Sequence, residues 1–206
     1  MFWINKVDVL FVEVCLNSNL GLEFHPLTCD RWNDFESFFG QHGACGGCWC
    51  TFWKLSRKDF LDLRGEGNRL YQKAIVESGK QPGLLAYCEG NPVGWIAIEP
   101  RENYCGLARS RILKPVDDHK VWSITCFYVD RKYRFKGIST ALISAAVKFA
   151  EINGARIVEG YPTDVMDKKM PAPFVYTGLA SSFIESGFQE ITRRSPKRPI
   201  MRYYLK

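Results

Sequence analysis

The chain has 206 residues, 46% apolar, 14% aromatic and 24% charged, with 17 Gly and 10 Pro. This is a globular composition with enough apolar side chains for one substantial core, and it excludes collagen-like, low-complexity and disordered classes. Lys and Arg number 28 against 22 Asp and Glu, a net charge of +6, and the acid-free segment Arg193–Lys206 supplies that excess by itself, so nucleic acid is not expected as a partner.

No apolar run approaches the ~20 residues of a membrane-spanning helix, so a soluble protein with no membrane partner is expected. Lys6, Asp8 and Glu13 interrupt the apolar N-terminus, which argues against a secretory signal. Residues 1–20 read as an N-terminal extension and 21–206 as a single domain. Eight cysteines fall below the density of a disulfide scaffold and point to reduced thiols in a cytoplasm.

Residues 21–27 alternate like a short strand, and Asp30 opens a helical run that Gly40 stops. A glycine and cysteine cluster fills 43–50. Helical spacing returns over Ser56–Leu63 and again over Asn68–Ser78, the latter with Leu70, Ala74 and Ile75 as its apolar face. Two apolar runs divided by Glu89, Gly90, Asn91 and Pro92 predict a hairpin, and Val121–Val129 is rich in β-branched and aromatic residues, a strong strand. From Ile138 the apolar positions Ala141, Leu142, Ala145, Phe149 and Ile152 share a helix face, ended by Gly154. Arg156–Tyr161 reads as a buried strand, Pro162–Pro173 as a polar loop and Gly178–Ser186 as a short helix. Strands close the chain near Phe188–Thr192 and Ile200–Leu205. The order implies a mixed α/β (α+β) domain with one central sheet. The terminal basic segment reads either as a strand pair with a solvated outer face or as a local patch for a phosphate-rich ligand.

Between the strong strand and the long helix lies D-R-K-Y-R-F-K-G-I-S-T. Unpaired N–H groups at the helix start, flanked by Arg134 and Lys136, suit an anion such as a pyrophosphate. Gly137 lets a phosphate approach the main chain, and Ser139 and Thr140 are small hydroxyl donors.

R-F-K-G-I-S resembles the acyl-CoA-binding signature [Q/R]-x-x-G-x-[G/A] of the GNAT superfamily of N-acyltransferases, with Ser139 in place of the final Gly or Ala. The closing S-G-F-Q-E-I resembles the same superfamily's G-F ending. The resemblance implies a mostly antiparallel sheet flanked by helices and splayed between its fourth and fifth strands. It implies acetyl-CoA as acyl donor, with Phe127, Tyr128 and Val129 along the pantetheine and Arg134, Phe135, Lys136, Gly137, Ile138, Ser139 and Thr140 around the pyrophosphate. The acceptor implied is a primary amine on a small molecule or peptide; the oligomeric state stays open, a homodimer included.

Acylating an amine needs a neutral nitrogen, a stabilised oxyanion and a proton for the leaving thiolate. Family members often carry a glutamate base on the fourth strand and a tyrosine acid before the G-F pair; the matching positions here are Ser123, Thr125 and Phe183. Glu159 is the substitute base, with a surface or ion-paired carboxylate as its alternative reading. Tyr176 is the substitute acid, or else a pocket wall. Trp49 and Trp53, with Phe52, are expected to line the acceptor pocket.

The cysteine cluster carries competing readings. C-G-x-C-W resembles the nucleophile segment of papain-like proteases, but His25, His42 and His119 all lie where they cannot serve Cys48 in that arrangement. Cys45, Cys48 and Cys50 with His42 offer a crowded zinc set; the simpler reading is a glycine turn with buried thiols and no metal. Cys15, Cys29, Cys88, Cys105 and Cys126 read as small core hydrophobes. Two further functions are kept beside the acetyltransferase: an acyl-CoA-binding or sensing module without turnover, and a metal or redox module on the cysteines.

Overall fold

The structure, a computed structural model, describes residues 20–165 and 170–206. The N-terminal extension with its signal reading, Cys15, and residues 166–169 of the polar loop lie outside the described residues.

The strands are β1 (Leu22–Pro26), β2 (Gly83–Cys88), β3 (Asn91–Pro100), β4 (Trp122–Val129), β5 (Ile157–Gly160), β6 (Gln189–Arg193) and β7 (Pro199–Tyr204). They form one seven-stranded sheet in the order β1-β2-β3-β4-β5-β7-β6. Every neighbouring pair is antiparallel except β4 with β5. The helices are α1 (Trp32–Phe39), α2 (Arg57–Asp62), α3 (Glu66–Glu77), α4 (Cys105–Arg109), α5 (Ile138–Ile152) and α6 (Ala180–Glu185). The expected mixed, mostly antiparallel sheet flanked by helices is therefore the observed fold. No helix among the described residues is long and apolar enough to cross a membrane.

Local chemistry explains the boundaries. Glu89 and Gly90 both adopt left-handed φ, 50° and 74°, the backbone a two-residue hairpin turn requires between β2 and β3. Ser56 caps α2 by accepting the Asp59 amide at 3.0 Å, satisfying an N–H that the helix leaves open. The β4–α5 crossover is the parallel connection of the sheet. The α5 face formed by Ile138, Ala141, Leu142, Ala145 and Phe149 is buried against a core shared with Ile96, Ile98, Ile124 and Val158. Ile152, assigned by spacing to that face, is 51% exposed at the last residue of α5. On the opposite face Trp32, Phe35, Phe39 and Trp49 pack against Leu85, Tyr87, Trp95 and Ala97.

Two expectations are corrected. The buried face of α3 is Asn68, Gln72 and Val76, not Leu70, Ala74 and Ile75; Leu70 is exposed. The reason lies in what Asn68 meets: its Nδ2 donates to the carbonyls of Gly47 (2.9 Å) in the glycine-rich segment and Phe60 (3.3 Å) in α2, so a polar residue turns inward to satisfy backbone groups. Asn68→Ala is expected to lower stability by about 2 kcal/mol, since it strips buried carbonyls of a donor; a urea midpoint checks this.

The basic C-terminal segment is solvated in part: Arg193, Lys197 and Lys206 are exposed and Arg202 is not. Arg202 is buried and ion-paired to Glu159 and Asp117, Arg193 pairs with Glu190 and Asp164, and Arg194 donates to the carbonyls of Ile112, Lys114 and Pro115. Arg202 thus serves internal groups, while Arg193 and Arg194 make their contacts at the surface. Two scattered cysteines also depart from the core reading: Cys29 and Cys105 are exposed, each with its thiol toward a backbone carbonyl.

Candidate active site

The parallel pairing of β4 with β5 covers only Trp122–Val158, Ser123–Glu159 and Ile124–Gly160. Beyond it β4 continues to Val129 without β5, so the sheet is split along one side of β4. At the same level the β3–β4 register shifts: Ala97 lies opposite Cys126 but Ile98 opposite Ile124, leaving Thr125 as the extra residue of a bulge. A bulge re-aims backbone groups and bends its strand, here at the mouth of the split.

The side of β4 facing the split is partly engaged. The Phe127 amide donates to the Tyr176 carbonyl at 2.6 Å, and the Val129 carbonyl accepts from Arg134 Nε at 3.1 Å. The Phe127 side chain enters the α5 core beside Phe183. Tyr128 faces the other way, its ring 4.8 Å from Phe38 and 5.4 Å from Phe39.

The split leads to the turn before α5. Gly137 has φ 78° and ψ 0° at the helix start, and a Cβ built there would meet nothing within 4 Å. The space over its Cα is open, and the first N–H groups of α5 have no intrahelical acceptor. Phe135 is fully exposed and holds a left-handed φ of 63°, costly for a residue with a Cβ. Lys136 lies over the Tyr133 ring. Ser139 is half-buried. Two sequence expectations change: Ile138 is a core side chain, so only its backbone serves the turn, and Thr140 is buried with Oγ1 donating to Glu185 at 3.1 Å, which withdraws its hydroxyl from any phosphate.

The catalytic candidates also land differently. Glu159 is 1% exposed. Its Oε1 takes Arg101 at 2.9 Å and the Tyr161 hydroxyl at 2.7 Å, and its Oε2 takes Arg202 Nε at 2.8 Å. Both oxygens are consumed in a closed network, so the arrangement is the ion-paired alternative rather than an open base. Tyr176 lies half-buried near the bulge, its ring 6.2 Å from Phe52; burial pushes its hydroxyl well above the usual tyrosine range, with Cys126 adding to the effect.

The two tryptophans part company. Trp49 is 3% exposed and stacks on Phe39 at 5.8 Å, a core residue rather than a pocket wall. Its ring lies over Gly43, where a Cβ would come within 2.5 Å of Nε1, which explains the glycine. Trp53 packs edge-on against Phe52, ring centroids 5.0 Å apart, and hydrogen-bonds Tyr176.

The thiols disperse: Cys45 is exposed, Cys48 half-buried and Cys50 buried, with Cys50 accepting from Trp95 Nε1 at 3.0 Å. Among the described residues no group of three or more His, Cys, Asp or Glu is placed to hold a metal ion. Burial, with Cys50 adding to it, raises the Cys48 thiol to about 12.

A seven-stranded sheet split between its only parallel neighbours, with a glycine turn feeding a long helix, has recognisable relatives. Residues 49–167 match the family model described as the acetyltransferase (GNAT) family. This chain belongs to that family. Among solved structures, a GNAT-family acetyltransferase from Listeria monocytogenes superposes with a TM-score of 0.55 at 10% identity, covering 92% of this chain and 99% of its own. The PaiA N-acetyltransferase of Thermoplasma acidophilum, solved with coenzyme A, gives 0.50 at 14% identity over 89% and 99%. An uncharacterised N-acetyltransferase of Methanocaldococcus jannaschii is 30% identical over 91 residues, 44% of this chain, and the match spans 36% of that relative's length.

Sequence reasoning missed a second charged group in this GNAT chain. Glu99 on β3 lies opposite Ser123, which lies opposite Glu159, which lies opposite Arg202. This row crosses four strands at the base of the split. Lys54, also buried, is ion-paired with Glu99 and sits over the Tyr104 ring, 4.9 Å from its centroid. The only available signal was a charged residue ending the apolar run of β3, which reads equally well as a strand end.

Proposed function

We propose that this protein is an N-acetyltransferase that takes acetyl-CoA as donor and a primary amine as acceptor. The observation that carries the reading is the parting of β4 from β5 beyond Ile124, with β4 running on into a glycine turn whose Cα faces open space. A pantetheine arm fits the split, where Val129 and Phe127 turn main-chain groups, and a pyrophosphate fits the N–H groups of Gly137, Ile138 and Ser139. The residues present suit such a ligand: the space over Gly137 is open, with no atom within 4 Å of a Cβ built there, and Arg131, Lys132 and Lys136 of the same turn are exposed.

A pantetheine at Phe127 takes the place of the Tyr176 carbonyl there, which couples donor binding to the Tyr176 segment. The extra residue at Thr125 offers a main-chain N–H for the oxyanion. Trp53, Phe52 and Tyr176 form the acceptor side, suited to an amine with apolar or planar surface. Phe135→Gly is expected to raise Tm by about 2–4 °C through relief of its φ, and to weaken CoA binding roughly tenfold if the exposed ring stacks on the nucleotide base.

The test is acetyl-CoA turnover with a panel of primary amines, read as released thiol, beside thermal protection by CoA. Protection with turnover supports the enzyme, protection without turnover converts the reading to a sensing module, and no protection ends both.

A further inference from the structure

Arg198 stands just before β7, half-buried. Its Nη1 donates to the Tyr161 carbonyl at 3.2 Å and to the Thr177 hydroxyl; Thr177 is buried, its Oγ1 3.4 Å from Thr163 Oγ1. Among the described residues no acceptor meets Nε or Nη2 and no carboxylate pairs with the guanidinium. Other arginines of this region differ: Arg101 and Arg202 hold Glu159, and Arg193 holds Asp164 and Glu190. Taking a guanidinium partly out of water is costly unless an anion meets it. Burial accordingly lowers Arg198 from its usual value, with the Tyr176 phenol working the other way.

The register places this cation at the head of the split. The β4–β5 ladder ends at Ile124–Gly160. The next residue along β4 is the bulged Thr125, and the next after β5 is Tyr161, whose carbonyl holds Arg198. The second anchor, Thr177, follows Tyr176, whose own carbonyl takes the Phe127 amide of β4. The guanidinium is thus fixed to the end of β5 directly and to β4 through the Tyr176 segment. The Tyr176 ring lies 6.2 Å from Phe52, and Tyr176 hydrogen-bonds Trp53, so an aromatic wall and an unpaired cation border the same segment.

We propose that Arg198 receives the carboxylate of the acceptor, which makes that acceptor an α-amino acid with an apolar or aromatic side chain. This rests on the acyltransferase reading above. A guanidinium fork matches a carboxylate with two parallel N–H bonds, and Nε with Nη2 is one edge of that fork. An α-amino acid carries its amine and carboxylate on one carbon. A carboxylate held level with Thr125 therefore keeps the nitrogen beside the main-chain N–H offered to the oxyanion, and Phe52, Trp53 and Tyr176 face the side chain. A phosphate of CoA shares the charge chemistry but not the place: Val129, before the glycine turn, lies four residues beyond Thr125, on the order of 13 Å along β4.

The experiment uses the full chain, acetyl-CoA, and L-phenylalanine, L-tryptophan and L-leucine, each beside its amide and its decarboxylated amine, in the parent, Arg198→Gln and Arg198→Lys. The amides keep the shape, lack the carboxylate and are weaker bases, so a preference for the acids reports the guanidinium rather than the ease of deprotonation. The parent is expected to favour the acids about 10- to 100-fold in kcat/KM, the worth of a charge-assisted pair. Arg198→Gln is expected to bring that ratio to about one, chiefly through KM, and Arg198→Lys, with the charge but not the fork, to fall between. CoA is expected to protect all three proteins against heat. Amides or decarboxylated amines used as well as the acids by the parent overturn the proposal, and this comparison needs no variant to fold. An unchanged ratio in folded Arg198→Gln overturns it too, and loss of CoA protection in that variant assigns the guanidinium to a donor phosphate instead. Where the parent turns over none of these amines, or CoA fails to protect it, the enzyme or the acyl-CoA reading falls, and the melt with millimolar amino acid decides the site separately. A rise in Tm with the acids and not the amides, lost in Arg198→Gln, upholds the carboxylate site; no rise overturns it.

Discussion

Gly137→Val is expected to weaken CoA binding roughly 30- to 100-fold while leaving a folded protein. The two effects separate because of what surrounds the residue. A Cβ there meets no protein atom within 4 Å, so the variant creates no clash; its stability cost is the left-handed φ of 78°, roughly 1–2 kcal/mol for a side-chain-bearing residue. The ligand suffers far more. The added methyl groups stand where a phosphate oxygen must approach the N–H groups at the start of α5, and losing such charge-assisted contacts costs about 2–3 kcal/mol. Calorimetric titration with CoA, beside a thermal melt of the free protein, reads both. Unchanged affinity in a folded variant means that the turn holds no phosphate.

Arg202→Met is expected to lower Tm by roughly 10 °C. Arg202 grips Asp117 with two nitrogens, at 2.6 and 3.0 Å, and Glu159 with a third at 2.8 Å. Its removal leaves Glu159 buried with Arg101 as its remaining guanidinium. Breaking a buried ion pair from one side costs about 3–5 kcal/mol, and a domain of this size loses about 2–4 °C per kcal/mol. Lys206→Met, at an exposed end, is expected to change stability by no more than about 0.5 kcal/mol.

The pH dependence gives an independent check. The Arg202 guanidinium holds the Asp117 carboxyl well below its usual 3.8. A carboxylate depressed in the folded state contributes stability above its unfolded pKa and loses it as pH falls through the folded value. The parent protein therefore loses Tm from about pH 4 downward, and Arg202→Met is expected to flatten that acid arm. Thermal melts across the acid range would show it.

The elements that were legible in the sequence are those set by local pattern. The 3.6-residue spacing after Gly137, the β-branched run of β4 and the Glu89-Gly90 turn each depend on neighbours within a few residues. The glycine turn belonged to the same class, because a helix start and the strand before it are short-range features. What stayed hidden is set by register. Whether Glu159 is an open base or a locked ion pair depends on which residue of β7 lies opposite it, and a shift of one residue would turn Arg202 to the other face. The row Glu99, Ser123, Glu159, Arg202 joins four strands distant in sequence, and no periodicity announces it. The buried face of α3 misled for a related reason: Asn68 turns inward to serve carbonyls of Gly47 and Phe60, and its polarity read as exposure. Trp49 and Trp53, close in the sequence, divide between core and pocket because the backbone turns over at Trp49 and Cys50, with φ of 45° and 60°.

The active-site reading depends most on where an acyl-CoA would lie, and backbone amide shifts report that directly. In a ¹H–¹⁵N spectrum titrated with CoA, the largest changes are expected at Gly137, Ile138 and Ser139, with a second group at Phe127 and Val129 along the split. Changes confined to other surfaces, or a spectrum unmoved by millimolar CoA, would contradict the account.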